Sequence, residues 1–193
     1  MITATRSNQK EFPSNYLGIN IKWINAPYGN ELSFYKRILM FFKYVYKASY
    51  YSLTKDYDLI YCTSTPLTIG IPALLAYFFR RKKFIFEARD IWPEIPVAMK
   101  IIKNKLLIWV LKRLAFLCYN KSEFIVTLST EMKTEILKNY NIATDKIIIA
   151  ENGSKSIFFG PKNDLKKQFI KKHKLPTDSK ILLYPGAFGY VNE

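Results

Sequence analysis

The sequence predicts an α/β domain, a doubly wound parallel sheet covered by helices. Three observations carry that expectation. Short apolar strand-like runs recur between residues 58 and 150, a helix-length segment follows nearly every one of them, and turn or capping residues separate the two.

The elements follow in chain order. "MITATRS" reads as the tail of a strand, and "GINIKWI" (Gly18 to Ile24) alternates apolar and polar residues as a half-buried strand does. A helix is predicted from about Ser33 to Leu53. Strand "DLIYC" (Asp58 to Cys62) comes next, then a helix opening near Pro66, where a proline suits the first turn. Strand "KFIFE" (Lys83 to Glu87) runs into the charged segment "ARDIWPE", and a long helix is predicted from about Lys100 to Tyr119. Strand "EFIVTL" (Glu123 to Leu128) leads to "STEMKTEILKNY", where Ser129 or Thr130 caps the helix and Glu131 favours its first turn. Strand "KIIIA" (Lys146 to Ala150) completes the series.

In such a sheet ligands bind beyond the carboxyl ends of the strands. Four polar clusters stand there: Thr63 to Thr65, Ala88 to Glu94, Ser129 with Thr130, and Glu151 to Gly153. After Gly153 the texture changes. "SKSIFFGPKND" reads as a linker, "LKKQFIKKHKLP" as a short basic helix, and "KILLYPGAFGYVNE" as a strand entering a glycine-containing turn. The expected organisation is an incomplete Rossmann-like domain over residues 1–153, a linker and short helix over 154–178, and the start of a further domain over 179–193.

Composition narrows the function classes. Among 193 residues, 49% are apolar and 16% aromatic, enough for a packed core, and the net charge is +15 with its surplus greatest over residues 80–125. That surplus suits nucleic acid, an anionic membrane face or phosphorylated substrates. Cys62 and Cys118 lack metal-site spacing and His173, the only histidine, lies in a lysine-rich stretch, so a Cys/His zinc site and a histidine triad are disfavoured. The unpaired cysteines fit a reducing compartment. The longest uncharged run, Leu59 to Phe79, includes Pro66, Gly70 and Pro72 and reads as strand, turn and helix rather than a span of roughly 20 apolar residues.

The "FEARDIWPE" stretch admits two readings. Arg89, Asp90 and Glu94 form an ion-pair network while Trp92 and Pro93 plug the sheet edge, or a carboxylate there accepts hydrogen bonds or a proton from a substrate hydroxyl while Trp92 offers a face to a sugar ring or apolar chain.

"FIFEARDIWPE", "VTLSTEM", "AENGSKSIFF" and the closing "YPG", in that order and spacing, resemble the family 4 glycosyltransferases of the two-domain GT-B fold, especially enzymes of bacterial capsule and O-antigen assembly. The resemblance implies a nucleotide-sugar donor, a lipid-linked glycan acceptor, and transfer with no metal and no cofactor. It implies Asp90 as catalytic base or orienter of the acceptor hydroxyl. Thr65, Arg89, Trp92 and Glu94 are the implied acceptor-binding residues, and Ser129, Asn152 and Gly153 the implied cleft loops. Two departures stand out: family members often carry histidine where this chain has Arg89, and "NGVD" is replaced by "NGSK", which puts Lys155 in the acidic position. The resemblance places the donor site in a carboxy-terminal domain, of which Lys180 to Glu193 is expected to be the opening, so the chain reads as a fragment or split enzyme, inactive without a separately encoded donor domain.

The helices over 33–53 and 100–119 mix apolar residues with Lys36, Arg37, Lys43, Lys47, Lys105, Lys112 and Arg113. Either their apolar sides are core or they lie on an anionic surface, the cytoplasmic, inner face of the plasma membrane. In the second helix Ile101, Leu107, Val110, Leu111 and Leu114 are expected to face the core. A noncatalytic scaffold and a nucleic-acid module are the alternatives; no RNP, KH or zinc pattern supports the latter.

Overall fold

The computed structural model of the chain describes residues 1–6, 13–28, 32–64, 66–153 and 163–176. They divide into two units, Met1–Glu151 and Asn152–Glu193.

In the first unit, strand β1 (Ile2–Arg6) pairs in parallel with β4 (Lys22–Tyr28), with a register irregularity between Ala4 and Arg6. Between them β2 (Asn15–Tyr16) and β3 (Ile19–Asn20) form a small antiparallel hairpin. Its two-residue turn has φ of 50° at Leu17 and 82° at Gly18, the doubly left-handed geometry that matches strand twist and that glycine adopts without strain. The single strand expected over Gly18 to Ile24 is therefore interrupted, and the longer strand begins at Lys22.

Helix α1 (Phe34–Thr54) follows, then β5 (Leu59–Ser64), a 3₁₀ turn at Leu67–Ile69, α2 (Gly70–Arg80) and β6 (Lys83–Ala88). A short helix α3 (Glu94–Ala98) precedes α4 (Lys105–Lys121), which starts five residues later than the sequence suggests. Asn104 accounts for the later start, because its side chain caps the helix by accepting from the main-chain N–H of Leu107 at 3.0 Å, while Lys100 has a left-handed φ of 56°. Strand β7 (Ile125–Thr127), α5 (Thr130–Asn139), a 3₁₀ turn at Thr144–Lys146 and β8 (Ile147–Ile149) complete the unit. In the second unit α6 (Asn163–Lys172) is the described element, where exposed His173 lies with its ring 4.5 Å from that of Phe169. The strand expected over Lys180 to Tyr184 falls outside the described residues.

The main sheet is parallel throughout, in the order β5-β6-β7-β8. This is the α/β architecture the sequence predicts, a parallel sheet flanked by helices. Its core is made where α2, α4 and α5 pack on the sheet: Phe84, Phe86, Ala115, Cys118, Ile125 and Ile136 are completely buried. Phe86 meets Tyr119 edge to face at 5.7 Å, and Tyr119 meets Tyr140 at 5.0 Å, aromatic contacts that add about 0.5–1.5 kcal/mol each to area burial. Packing is tightest at Gly70, where an added Cβ would stand 2.3 Å from Cys118 Sγ.

Ser52, buried in α1, donates through Oγ to the carbonyl of Pro72 in α2 at 2.9 Å and so fixes one helix on the other. Beside this seam a smaller core joins Ile24, Ala26 and Ala48. Away from it, α1 turns outward a second apolar face: Tyr35, Leu39, Phe42, Tyr46, Tyr50 and Leu53 recur at three- and four-residue intervals and are all exposed, Tyr35 by 86% and Tyr46 by 76%. Lys36, Lys43 and Lys47 are exposed along its flank, and α1 contains no acidic residue.

Helix α4 corrects the expectation for its apolar side. Leu111 and Leu114 pack on the core as expected, but Leu107 and Val110 are each 46% exposed and Ile101 precedes the helix. The core reaches only the later turns of α4, which carry the small or flat residues Ala115, Cys118 and Tyr119 against the sheet. No helix among the described residues is long and apolar enough to cross a membrane.

Candidate acceptor site at the strand ends

The parallel register aligns the carboxyl ends of the strands. Ser64 stands opposite Ala88, Ala88 opposite Thr127, and Thr127 opposite Ile149, so every connection leaving this row opens on the same edge.

At the β5–β6 end the first contacts form. The main-chain N–H of Arg89 donates to Ser64 Oγ at 3.2 Å, tying the two strand ends together. The Arg89 guanidinium, partly exposed, lies 3.5 Å from the buried Glu87 carboxylate. Tyr61, two residues before Thr63 in β5, completes this group: its hydroxyl is pushed above the ordinary range by burial first, then by the charge of Glu87 and their hydrogen bond. Glu87 is thus held on two sides, and Asp90 follows Arg89 at the exposed rim.

Glu94 bonds elsewhere. Its Oε1 accepts from the Tyr140 hydroxyl at 2.8 Å, while Oε2 is buried with no hydrogen-bond partner. Burial first, then the Glu94 bond and charge, raise the Tyr140 hydroxyl far above its ordinary range. Glu94 therefore anchors the Trp92–Pro93 turn to the aromatic core rather than joining Arg89 and Glu87.

Trp92 forms one wall of a pocket of about 530 Å³. β1 contributes Thr3, Ala4 and Thr5, and α1 contributes Met40, Phe41, Tyr44 and Val45. Ala26 of β4 and the turn residues Pro66, Thr68 and Ile69 close the remainder. None of the described residues lining it is charged. Its polar side-chain groups are the hydroxyls of Thr3, Thr5, Tyr44 and Thr68 and the Trp92 indole: the Tyr44 hydroxyl donates to the carbonyl of Ile2 at 3.3 Å, and Oγ1 of Thr5 and of Thr68 are buried without partners. Burial first, then Cys62, pushes the Tyr44 hydroxyl up to about 12.

The remaining residues proposed from sequence are distributed as follows. Ser129 caps α5, its hydroxyl accepting from the Met132 N–H at 3.3 Å. It also holds the Glu131 carboxyl below the usual range by a hydrogen bond, assisted by the main chain. Thr65 lies outside the described residues. Asn152 and Gly153 are exposed and open the second unit. The structure bears out Ser64 of the Thr63 to Thr65 cluster at the strand end and adds Tyr61, the Glu87 contacts and the pocket to the sequence reading. Glu87 carries a sequence signal, a lone acid ending an apolar strand; the pocket carries none, since its walls come from segments far apart in the chain.

The solved structures similar in fold include those of Alr3699/HepE from Anabaena, in complex with UDP and glucose and in complex with UDP alone, each at TM-score 0.51 and 12% identity, and in complex with UDP-glucose at TM-score 0.51 and 13% identity. In each case 81% of this chain and 37% of that protein are covered, so the chain spans little more than a third of the length of the protein it resembles. No curated protein matches it in sequence. The family model for Glycosyltransferase Family 4 matches residues 2–154, a stretch that includes β1 to β8 and the whole strand-end rim. The chain belongs to Glycosyltransferase Family 4.

Proposed function

We propose that this chain is the acceptor-binding side of a glycosyltransferase that moves a sugar from a nucleotide-sugar donor to a lipid-linked glycan in bacterial surface-polysaccharide assembly. The observation that carries this reading is the grouping of Ser64, Glu87, Arg89, Asp90 and Trp92 at the carboxyl edge of a parallel sheet in a Family 4 chain.

The chemistry needs few parts. The acceptor hydroxyl oxygen bonds to the anomeric carbon, the bond from that carbon to the nucleotide phosphate oxygen breaks, and the hydroxyl proton passes to a base. Asp90, exposed beside Arg89, is the base or the group that orients that hydroxyl. Arg89 supplies positive charge to an anionic acceptor head. Asn152 and Gly153 contribute to the donor-facing loops, and a donor domain, in the same chain or separately encoded, completes the cleft that makes transfer efficient.

The outer face of α1 supports a reading of membrane association. Its exposed tyrosines, leucines and phenylalanine beside Lys36, Lys43 and Lys47 suit the boundary of an anionic bilayer, here the cytoplasmic face of the plasma membrane, and the absence of acids in α1 disfavours a second copy of the same stripe as partner.

The test is a titration of the full chain with undecaprenyl-diphosphate-linked sugar in anionic nanodiscs and, separately, with UDP-sugars. Acceptor binding that Asp90→Ala weakens by about tenfold, the loss of one charged hydrogen bond, is expected. Binding that ignores Asp90→Ala, is shared with DNA and disappears with salt would mean a nonspecific basic surface instead.

A further inference from the structure

We propose that the pocket walled by β1, α1 and Trp92 holds the apolar chain of the acceptor lipid, leaving the lipid's anionic head outside at Arg89. This rests on the glycosyltransferase reading and deepens it by assigning where the lipid, rather than the sugar, is recognised.

Three observations point to an apolar chain. First, the described lining contains no carboxylate, amide, guanidinium or ammonium side chain, so the pocket has nothing to meet a phosphate or a nucleotide. Second, a sugar ring presents hydroxyls around its whole edge, and the pocket has too few partners for them. The Tyr44 hydroxyl is already bonded to Ile2, and the other polar side-chain groups of the described lining are the hydroxyls of Thr3, Thr5 and Thr68 and the Trp92 indole N–H, scattered over an otherwise apolar wall; the partnerless Thr5 and Thr68 hydroxyls suit an ether or ester oxygen at the head of a chain. Third, the pocket wall and the exposed stripe are opposite faces of one helix. Met40, Tyr44 and Val45 of α1 look into the pocket, while Leu39, Phe42 and Tyr46 of the same turns face solvent. A chain leaving a bilayer held on the outer face would meet apolar surface on both sides of α1.

The head group then falls where chemistry is expected. Trp92 belongs to the pocket and Asp90 stands two residues before it in the chain, next to Arg89, whose exposed guanidinium lies 3.5 Å from the Glu87 carboxylate. A chain seated against Trp92 delivers its polar end to the strand-end row.

The probes are the isoprenoid alcohols geraniol, farnesol and geranylgeraniol, of increasing chain length, titrated calorimetrically into the full chain below their aggregation limits, with glucose and inorganic phosphate as comparators. Farnesol is expected to bind and phosphate and glucose are not. Val45→Phe, which fills the pocket, is expected to weaken farnesol by about tenfold and shift preference to geraniol, while Met40→Ala, which enlarges it, shifts preference to geranylgeraniol. Using two variants of opposite sign keeps the test decisive if one fails to fold, as far-UV circular dichroism would reveal. Phe42→Ser, on the outer face, leaves the chain-length preference unchanged. Absence of farnesol binding to the folded chain, or binding whose length preference ignores both pocket variants, overturns the proposal. Glucose binding that Val45→Phe blocks would make it a sugar site instead. Asp90-dependent binding of a glycan acceptor that lacks the lipid chain, with no farnesol binding, would sink this inference while leaving the glycosyltransferase reading intact.

Discussion

The two halves of the first unit are packed by different rules. Around β5 to β8 the chain closes its core: Phe84, Phe86, Cys118 and Ile125 are fully buried and Gly70 has no room for even one more carbon. Around β1, β4 and α1 the buried cluster among the described residues is Ile24, Ala26 and Ala48, a pocket of about 530 Å³ opens beside them, and α1 leaves an apolar face to solvent. The first region is built to hold the strand ends in register. The second leaves apolar surface uncovered among the described residues, which is where binding is to be sought.

The comparison breaks if mutations in the two regions have equal effects on stability. Phe86→Ala, in the centre of the sheet, is expected to cost about 3–5 kcal/mol, measured by denaturant unfolding. A loss below 1 kcal/mol would mean that the sheet core is far looser than its packing indicates.

Alkali probes the same contrast. Burial pushes the Cys62 thiol from 9.0 up to about 12, and the hydroxyls of Tyr44, Tyr119 and Tyr140 are likewise raised, burial being the first cause in each. Because the folded state binds these protons more tightly than the unfolded chain, their contribution is complete below pH 9 and is lost as pH rises from 9 through 12. Cys62 alone is expected to remove roughly 2–3 kcal/mol by pH 11. Unfolding midpoints measured between pH 8 and 11 give the slope, and a flat profile would contradict the buried, neutral thiol.

Gly70→Ala sharpens the comparison. Its methyl would meet Cys118 Sγ at 2.3 Å and Phe86 Cε2 at 3.3 Å, and overpacking of this kind costs about 1–3 kcal/mol. The double variant Gly70→Ala, Cys118→Ala should recover part of that loss if the clash is its cause. Smallest of all, Phe42→Ser with Tyr46→Ser on the outer face of α1 is expected to change stability by no more than about 0.5 kcal/mol, while weakening capture by anionic vesicles in a flotation assay. A large stability loss there would show that the stripe is covered within the folded chain.

These contrasts explain what was legible in the sequence. Strands β5 to β8 and their helices could be read because each strand is a short apolar run in the sequence, though β5 and β8 bury only part of theirs, and capping residues mark some helix starts, as Ser129 does for α5. The short helix α3 could not, since five residues containing Pro96 show no helical period. Alternation over Gly18 to Ile24 concealed a hairpin whose turn depends on two left-handed residues. At the site, Arg89, Asp90 and Trp92 were visible as a cluster, but Glu94 looked equivalent to them. Its partner Tyr140 stands on the far side of β7 in the sequence, and nothing local to "IWPE" announces that bond. The pocket depends on α1 meeting β1 and Trp92, a juxtaposition set by packing alone.

The Gly70 contact has one further consequence, for thiol chemistry. Cys118 faces Gly70, and Cys62 donates from Sγ to the Ile69 carbonyl at 3.2 Å, so both free thiols lie where the start of α2 meets the sheet. Each is buried and held in its neutral, unreactive form. Alkylation of the native chain must wait for that seam to part, which turns the two cysteines into a clock: their labelling rate under mild conditions counts how often α2 lifts from the strands.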